Sequence, residues 1–264
     1  CLVLGAFALN AQRFTEGQGG VPLDDAWIHF QFARNLARGD GLSFNPGHPT
    51  SGSTAPLWTL LLAAVYVVGG DFPVAGQVLS GICYLALLVA TYALGKRLTG
   101  QRWTAWLAGA VVAVNGRVAW AGLSALETCL FAALSMWAIG AHLSDWIASR
   151  YRPGTAILFG LAALSRPEGY LLFALAMADL PWRVWRQLGE GTDLETGPGS
   201  HITPYALRRA YRTLRRVLLP VMLFAAIVFP YLLFSLRTSG HLLPNTFHAK
   251  AGFDFRPDIA FLSV

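Results

Sequence analysis

Asp24 and Asp25 are adjacent carboxylates at the head of the run PLDDAWIHFQFARNLARGDGLSFNPGHPTSGSTAPLW, residues 22–58. A carboxylate can take the proton from an attacking hydroxyl, and a neighbouring acid can raise its pKa or hold substrate hydroxyls. The plainer reading is a helix N-cap, with the second acid favoured by the helix dipole. Three further polar groups interrupt apolar sequence. Glu127 lies in AGLSALETCLF, where an acid near membrane depth should face an interior or a watery cavity, or else cap the next helix. Arg166, Pro167 and Glu168 separate two short apolar segments, which suits a cavity lining or a local ion pair. In HLLPNTFHAK, residues 241–250, His248 and Lys250 suit a phosphate with Arg166 as a third cation, against plain snorkelling to lipid headgroups.

The elements that must position these groups are membrane helices. The chain is 55% hydrophobic and 13% charged, against about 25% charged in soluble domains, with mean hydropathy +0.47. The expected class is an all-α polytopic membrane protein. The net charge of +6 is therefore no sign of nucleic-acid binding, and what informs is where Lys and Arg fall. Cys1, Cys83 and Cys129 show no metal spacing and read as small apolar fillers without a disulfide framework. The opening CLVLGAFAL reads as the tail of a truncated first helix ending near Asn10, and the chain as a fragment of a longer protein.

Asp24 can cap a helix running to about Arg38, with Ile28, Phe32 and Leu36 as its apolar stripe beside Trp27, and Gly39 as its C-terminal cap. His29, Arg34, Asn35 and Arg38 fall on its other faces. Such a helix should lie along the membrane surface. Residues 56–68 are apolar but short. Spans are expected over 73–98, 103–120, 129–147 and 217–236, with shorter segments over 155–164 and 170–180. A polar loop is expected over 182–216, its Gly-rich part, 187–204, flexible. If 56–68 does not cross, Lys96, Arg97, Arg102, Arg150, Arg152, Arg183, Arg186, Arg208, Arg209, Arg212, Arg215 and Arg216 share one side, 12 of 20 basic residues. That side should be cytoplasmic. Every unusual polar cluster then falls on the opposite side. Walker, dinucleotide, HExxH and GxSxG motifs are absent, which suits a lipid-linked donor better than a soluble nucleotide-sugar.

The stretches DDAWIHFQFARNLARGDGLSFNPG, PLWTLLLA, GLSALETCLF, SRPEGYLLF and LLPNTFHAKAG, in this order, resemble the GT-C glycosyltransferases, nearest to the bacterial arabinofuranosyltransferase-like branch. The resemblance spans nearly the whole of 1–264. It implies a GT-C transmembrane module with amphipathic surface helices in a first extracytoplasmic loop, 11–72. It implies a polyprenyl-phosphate-sugar donor, a glycan, lipid or protein acceptor outside the cytoplasm, and residence in the bacterial cytoplasmic membrane. The family's acidic pair falls on Asp24 and Asp25, with Asp24 the expected base. Its outer-loop Glu falls on Glu127, its Arg-Pro-acid on Arg166, Pro167 and Glu168, and its Pro-Asn-Thr on Pro244, Asn245 and Thr246. Lys250 is the expected phosphate contact. Where many members carry Glu-Gly before the PLW helix, this chain has Ser51-Gly52-Ser53-Thr54.

The expected reaction is glycosyl transfer by direct displacement, its stereochemistry open. Asp24 and Asp25 are catalytic, while Glu127, Arg166, Glu168, Asn245, His248 and Lys250 bind substrate. No metal is assigned, although the acid pair with His29 leaves a divalent cation open. Two rivals stand beside this reading. One is a transporter or lipid-binding protein whose polar clusters line a through-going path. The other is a mannosyl- or aminoarabinose-transferring relative.

Overall fold

The computed structural model describes residues 4–6, 8, 9, 13, 20–148, 152–178 and 204–242, with side chains from 218 in the last stretch. Among the described residues the regular secondary structure is helix, with one isolated bridge between Ser43 and Pro49 in the loop that follows Arg38. The helices are α1 (Asp25–Arg38), α2 (Pro56–Val67), α3 (Phe72–Thr99), α4 (Arg102–Val114), α5 (Gly116–Ala121), α6 (Thr128–Ile147), α7 (Pro153–Ser165), α8 (Glu168–Met177) and α9 (Pro204–Ser239). Three stretches are long and apolar enough to cross a membrane: Phe72–Thr99, Thr128–Ile147 and Leu218–Ser239. Val74, Val78, Ile82, Leu85 and Val89 form an exposed apolar stripe on α3, a surface that needs lipid or another apolar cover.

The α3 and α6 helices run parallel. Ser80 of α3 meets Leu126 just before α6, and Arg97, one turn from the far end of α3, meets Gly140 and Ser144 near the far end of α6. The bundle therefore has two ends, one marked by Phe72 and Thr128, the other by Thr99 and Ile147. Helix α4 packs back along α3, where a Cβ on Gly95 would lie 3.3 Å from Ala105 Cα and the Tyr84 hydroxyl donates to the Ala113 carbonyl at 2.7 Å. Helices α7 and α8 form a hairpin whose tip is Arg166–Pro167. Phe159 and Phe173 meet across it at 5.7 Å, and Phe173 stacks on Phe224 of α9 at 3.8 Å.

Helix α2 has 12 residues and so measures about 18 Å, too short for an apolar core of about 30 Å. By length it falls short of a span, like the other apolar helices of 10–13 residues. Instead it buries Trp58, Leu62 and Ala63 against α1, in a cluster that includes Ala26, Phe30 and Ala33. Cys83 and Cys129 are free and buried.

Four expectations need correction. The apolar run over 103–120 is two helices, because the Asn115 side chain accepts from the backbone N–H of Arg117 and Val118 and caps a new helix there. Residues 204–216, expected within a loop, already belong to α9, which opens at Pro204, a residue pre-set for a first helical turn. On α1 the buried residues are Ala26, His29, Phe30, Phe32, Ala33 and Asn35, so Phe32 of the expected stripe is buried and Leu36 packs partly buried on the core, but Ile28 is 41% exposed. The two alanines let α2 approach around Phe30, and that close packing outweighs the larger Ile28. Gly39 does cap α1, at φ 91°, but Asp24 makes no side-chain cap bond. The expected helix end near Asn10 and the 182–203 part of the loop lie outside the described residues.

Candidate functional site

Glu127 is placed by the turn that precedes α6. Ala125 sits in the left-handed region at φ 58°, which costs a non-glycine residue energy and must be held by its surroundings. The hold is visible. Trp58 Nε1 donates to the Ala125 carbonyl at 3.2 Å, and the Ser80 hydroxyl donates to the Leu126 carbonyl at 3.1 Å. Trp58 and Ser80 are both fully buried. Side chains from α2 and α3 thus pin the two residues before Glu127.

The Glu127 carboxylate does not cap its own helix. Its Oε2 lies 3.5 Å from His29 Nε2, and its Oε1 lies 3.8 Å from Arg166 Nε. Arg166 Nε is also 3.5 Å from Glu168 Oε2. Glu127 and His29 are each only 7% exposed, while Glu168 reaches solvent. A buried carboxylate is costly without a counter-charge, and Arg166 supplies it.

Arg166 owes its position to the α7–α8 hairpin. Its backbone is extended, at φ −156° and ψ 144°, which stops α7 and lets the chain turn through Pro167. The return is tight: a Cβ on Gly169 would lie 2.4 Å from the Ala163 backbone nitrogen. Only glycine lets α8 start that close to α7.

His29 arrives from α1, one helical turn after Asp25 and on the same face. Burial pushes the imidazole below its ordinary value of 6.5, with Glu127 and then Asp25 pulling the other way. The neutral ring is therefore favoured near pH 7. Its Nδ1 finds no hydrogen-bond partner among the described residues, and neither does Glu127 Oε2. Buried polar atoms left unpaired are rare enough to need a reason. Here a carboxylate oxygen that accepts and an imidazole nitrogen that can donate or accept stand in one cluster, and each can take a hydroxyl as its partner.

The structure thus brings together Glu127, Arg166 and Glu168, all singled out in the sequence. Asp25 reaches the group through its charge on His29. Asp24 is exposed, and its carboxylate makes no hydrogen bond or ion pair among the described residues. Asn245, His248 and Lys250 lie outside the described residues. The capping readings of Asp24 and Glu127 fail alike, since neither side chain makes the bond. The pairing reading of Arg166 with Glu168 holds, with Glu127 added to it. His29 is the member that sequence reasoning passed over, setting it on another face and weighing it only as a metal partner. The available signal was its spacing of four from Asp25.

Among the described residues no three His, Cys, Asp or Glu side chains are grouped so as to hold a metal ion. Arg166 beside the Glu127 carboxylate would also oppose a cation there. No family model, curated protein or solved structure matches the chain. What the fold defines is a class: an all-helical architecture with three membrane-length apolar helices and a buried acid–imidazole–guanidinium cluster at one end.

Proposed function

We propose that this chain is a membrane glycosyltransferase that moves a sugar from a polyprenyl phosphate to an acceptor hydroxyl. The observation that carries the reading is the buried Glu127 carboxylate, shared between His29 and Arg166, with Glu127 Oε2 and His29 Nδ1 still unpaired. Sugar hydroxyls suit each of these atoms as partners. The Arg166 guanidinium beside it suits the phosphate of the donor.

In this scheme the Asp24–Asp25 pair supplies the base, and Asp25 is the member whose charge reaches His29. The acceptor O–H gives its proton to the aspartate. Its oxygen bonds to the anomeric carbon, and the bond from that carbon to the phosphate oxygen breaks. Polyprenyl phosphate leaves with the electron pair, and Arg166 stabilises the charge that grows on it. Glu127 and His29 hold hydroxyls of the sugar, and Glu168 holds Arg166. The resemblance adds Asn245, His248 and Lys250 to the phosphate side, and arabinofuranose as the sugar. In this reading the Glu127 end faces out of the cytoplasm of a bacterial inner membrane, an orientation that the Lys and Arg distribution favours, and the product is a cell-envelope glycan or glycolipid.

Between the two ends, Leu87, Ala90, Ala133, Ala138 and Phe159 fill the interior. That packing suits a site open at one end better than a through-going path. The test is direct. The full-length protein is supplied with polyprenyl-phosphate arabinofuranose, mannose or aminoarabinose and an acceptor glycan. One donor should yield product, and Asp24→Asn or Asp25→Asn should slow transfer by about a hundredfold or more. Wild-type rates in both variants would remove the proposed base.

A further inference from the structure

The end of the bundle opposite Glu127 carries its own polar feature. A cavity of about 200 Å³ opens between α3, α6 and the start of α7. Its walls include Leu94, Met136 and Trp137, and its polar lining comes from Arg97, Ser144 and Arg152. Both arginines are anchored by α6. Arg97 Nη1 donates to the Gly140 carbonyl and the Ser144 hydroxyl. Arg152 Nε lies 3.6 Å from Asp145 Oδ1, while Asp145 Oδ2 accepts from the Arg152 backbone N–H at 2.9 Å and from the Thr155 hydroxyl at 2.6 Å. Arg97 Nε and Nη2, and both Nη of Arg152, have no partner among the described residues.

The charge of the site is small and definite. Among the described residues the cavity is lined by two guanidiniums, and one buried carboxylate, Asp145, pairs with Arg152, so the group carries one net positive charge. A phosphate diester carries one negative charge. Planar guanidinium forks suit its oxygens, and the apolar walls suit the carbon skeleton attached to it. The depth also fits. Trp103, Trp106 and Trp146 stand exposed at this end, as tryptophans do at the headgroup level of a bilayer.

We propose that this cavity binds the phosphodiester headgroup of an anionic membrane lipid. The site is separate from the Glu127 cluster and does not rest on the reading of that cluster. A free phosphate shares the oxyanion chemistry but makes no use of Leu94, Met136 and Trp137.

The test is native mass spectrometry of the full chain in detergent, offered equal amounts of phosphatidylglycerol and phosphatidylcholine. Phosphatidylglycerol should be retained about fivefold or more over phosphatidylcholine, and excess inorganic phosphate should not displace it. Arg97→Gln and Arg152→Gln should each cut retention by about tenfold. Lys96→Gln removes the same charge outside the cavity and should change retention by less than about twofold. Ala93→Phe fills the cavity with the charges intact and should also abolish retention, which keeps the test open if an arginine variant does not fold. Equal retention of the two lipids would overturn the proposal. So would an equal loss in Lys96→Gln and Arg97→Gln, unaltered retention in Ala93→Phe, or displacement by inorganic phosphate.

Discussion

Glu127 Oε2 stands 3.5 Å from His29 Nε2, so an acid at the head of a membrane-length helix faces an imidazole on a helix that lies outside the three spans. The contact joins α1 to α6. It turns a polar stretch before the first long span into one wall of a site, with Arg166 on the α7–α8 hairpin as the other wall.

Glu127→Gln keeps the shape and removes the charge that balances Arg166. The expected cost is about 1–3 kcal/mol of stability, because a buried group loses its charged partner. Glu168→Gln removes an acid that is largely in solvent and should cost less than about 0.5 kcal/mol. Thermal unfolding in detergent ranks the two, and equal losses would contradict the asymmetry of burial.

The His29 pair has a pH signature. Its folded pKa lies below 6.5, so the unfolded chain takes up the proton first as pH falls. The stability contributed by the neutral ring is complete above 6.5 and is lost as pH drops through the lower folded value. The protein should therefore be less stable at about pH 5.5 than at about pH 7.5, and His29→Gln should show a smaller difference. The comparison is made by unfolding the two proteins across that range. An unchanged difference in the variant would assign the effect to other groups.

Gly169→Ala places a methyl 2.4 Å from the Ala163 backbone nitrogen. Backbone on both sides cannot yield cheaply, and the expected cost is about 1–3 kcal/mol with Arg166 displaced. Gly154→Ala, with nothing within 4 Å of its Cβ, should be neutral or slightly stabilising. Chemical denaturation of both variants decides it, and a harmless Gly169→Ala would mean that the hairpin is looser than described.

Trp58→Phe removes the donor that holds the Ala125 carbonyl. The buried carbonyl is then unpaired, at a cost of about 1–3 kcal/mol. The left-handed Ala125 loses its hold, so transfer should fall as well, although Trp58 touches no substrate in the scheme. Stability from unfolding and rate from the donor assay are read together, and a stability loss with a normal rate would detach the turn from the site.

The long spans were legible because α3 and α6 are predominantly apolar over a membrane's thickness, and length and hydropathy mark such helices. The break at Asn115 was not, because hydropathy is blind to a single cap inside the apolar run VVAVNGRVAW, although Asn-Gly is a turn signal. The buried face of α1 was misjudged because side-chain size favoured Ile28, while packing against α2 favoured the small Ala26 and Ala33 around Phe30. Glu127, Arg166 and Glu168 were readable as polar interruptions of apolar sequence. Their meeting was not, since it depends on the fold of the hairpin at Gly169 and on the turn pinned by Trp58 and Ser80. His29 was hidden for the same reason: a histidine's neighbours across helices leave no mark in its own stretch.

The central claim is that acids from the head of the chain and Glu127 serve one reaction centre. A double-mutant cycle on sugar transfer tests it, with Asp25→Asn, Glu127→Gln and the pair measured on the full-length protein under one donor. A single site predicts that each change alone slows transfer by about a hundredfold, and that the double variant is far less impaired than the product of the two. Losses that simply multiply, or a wild-type rate in either single variant, would contradict it.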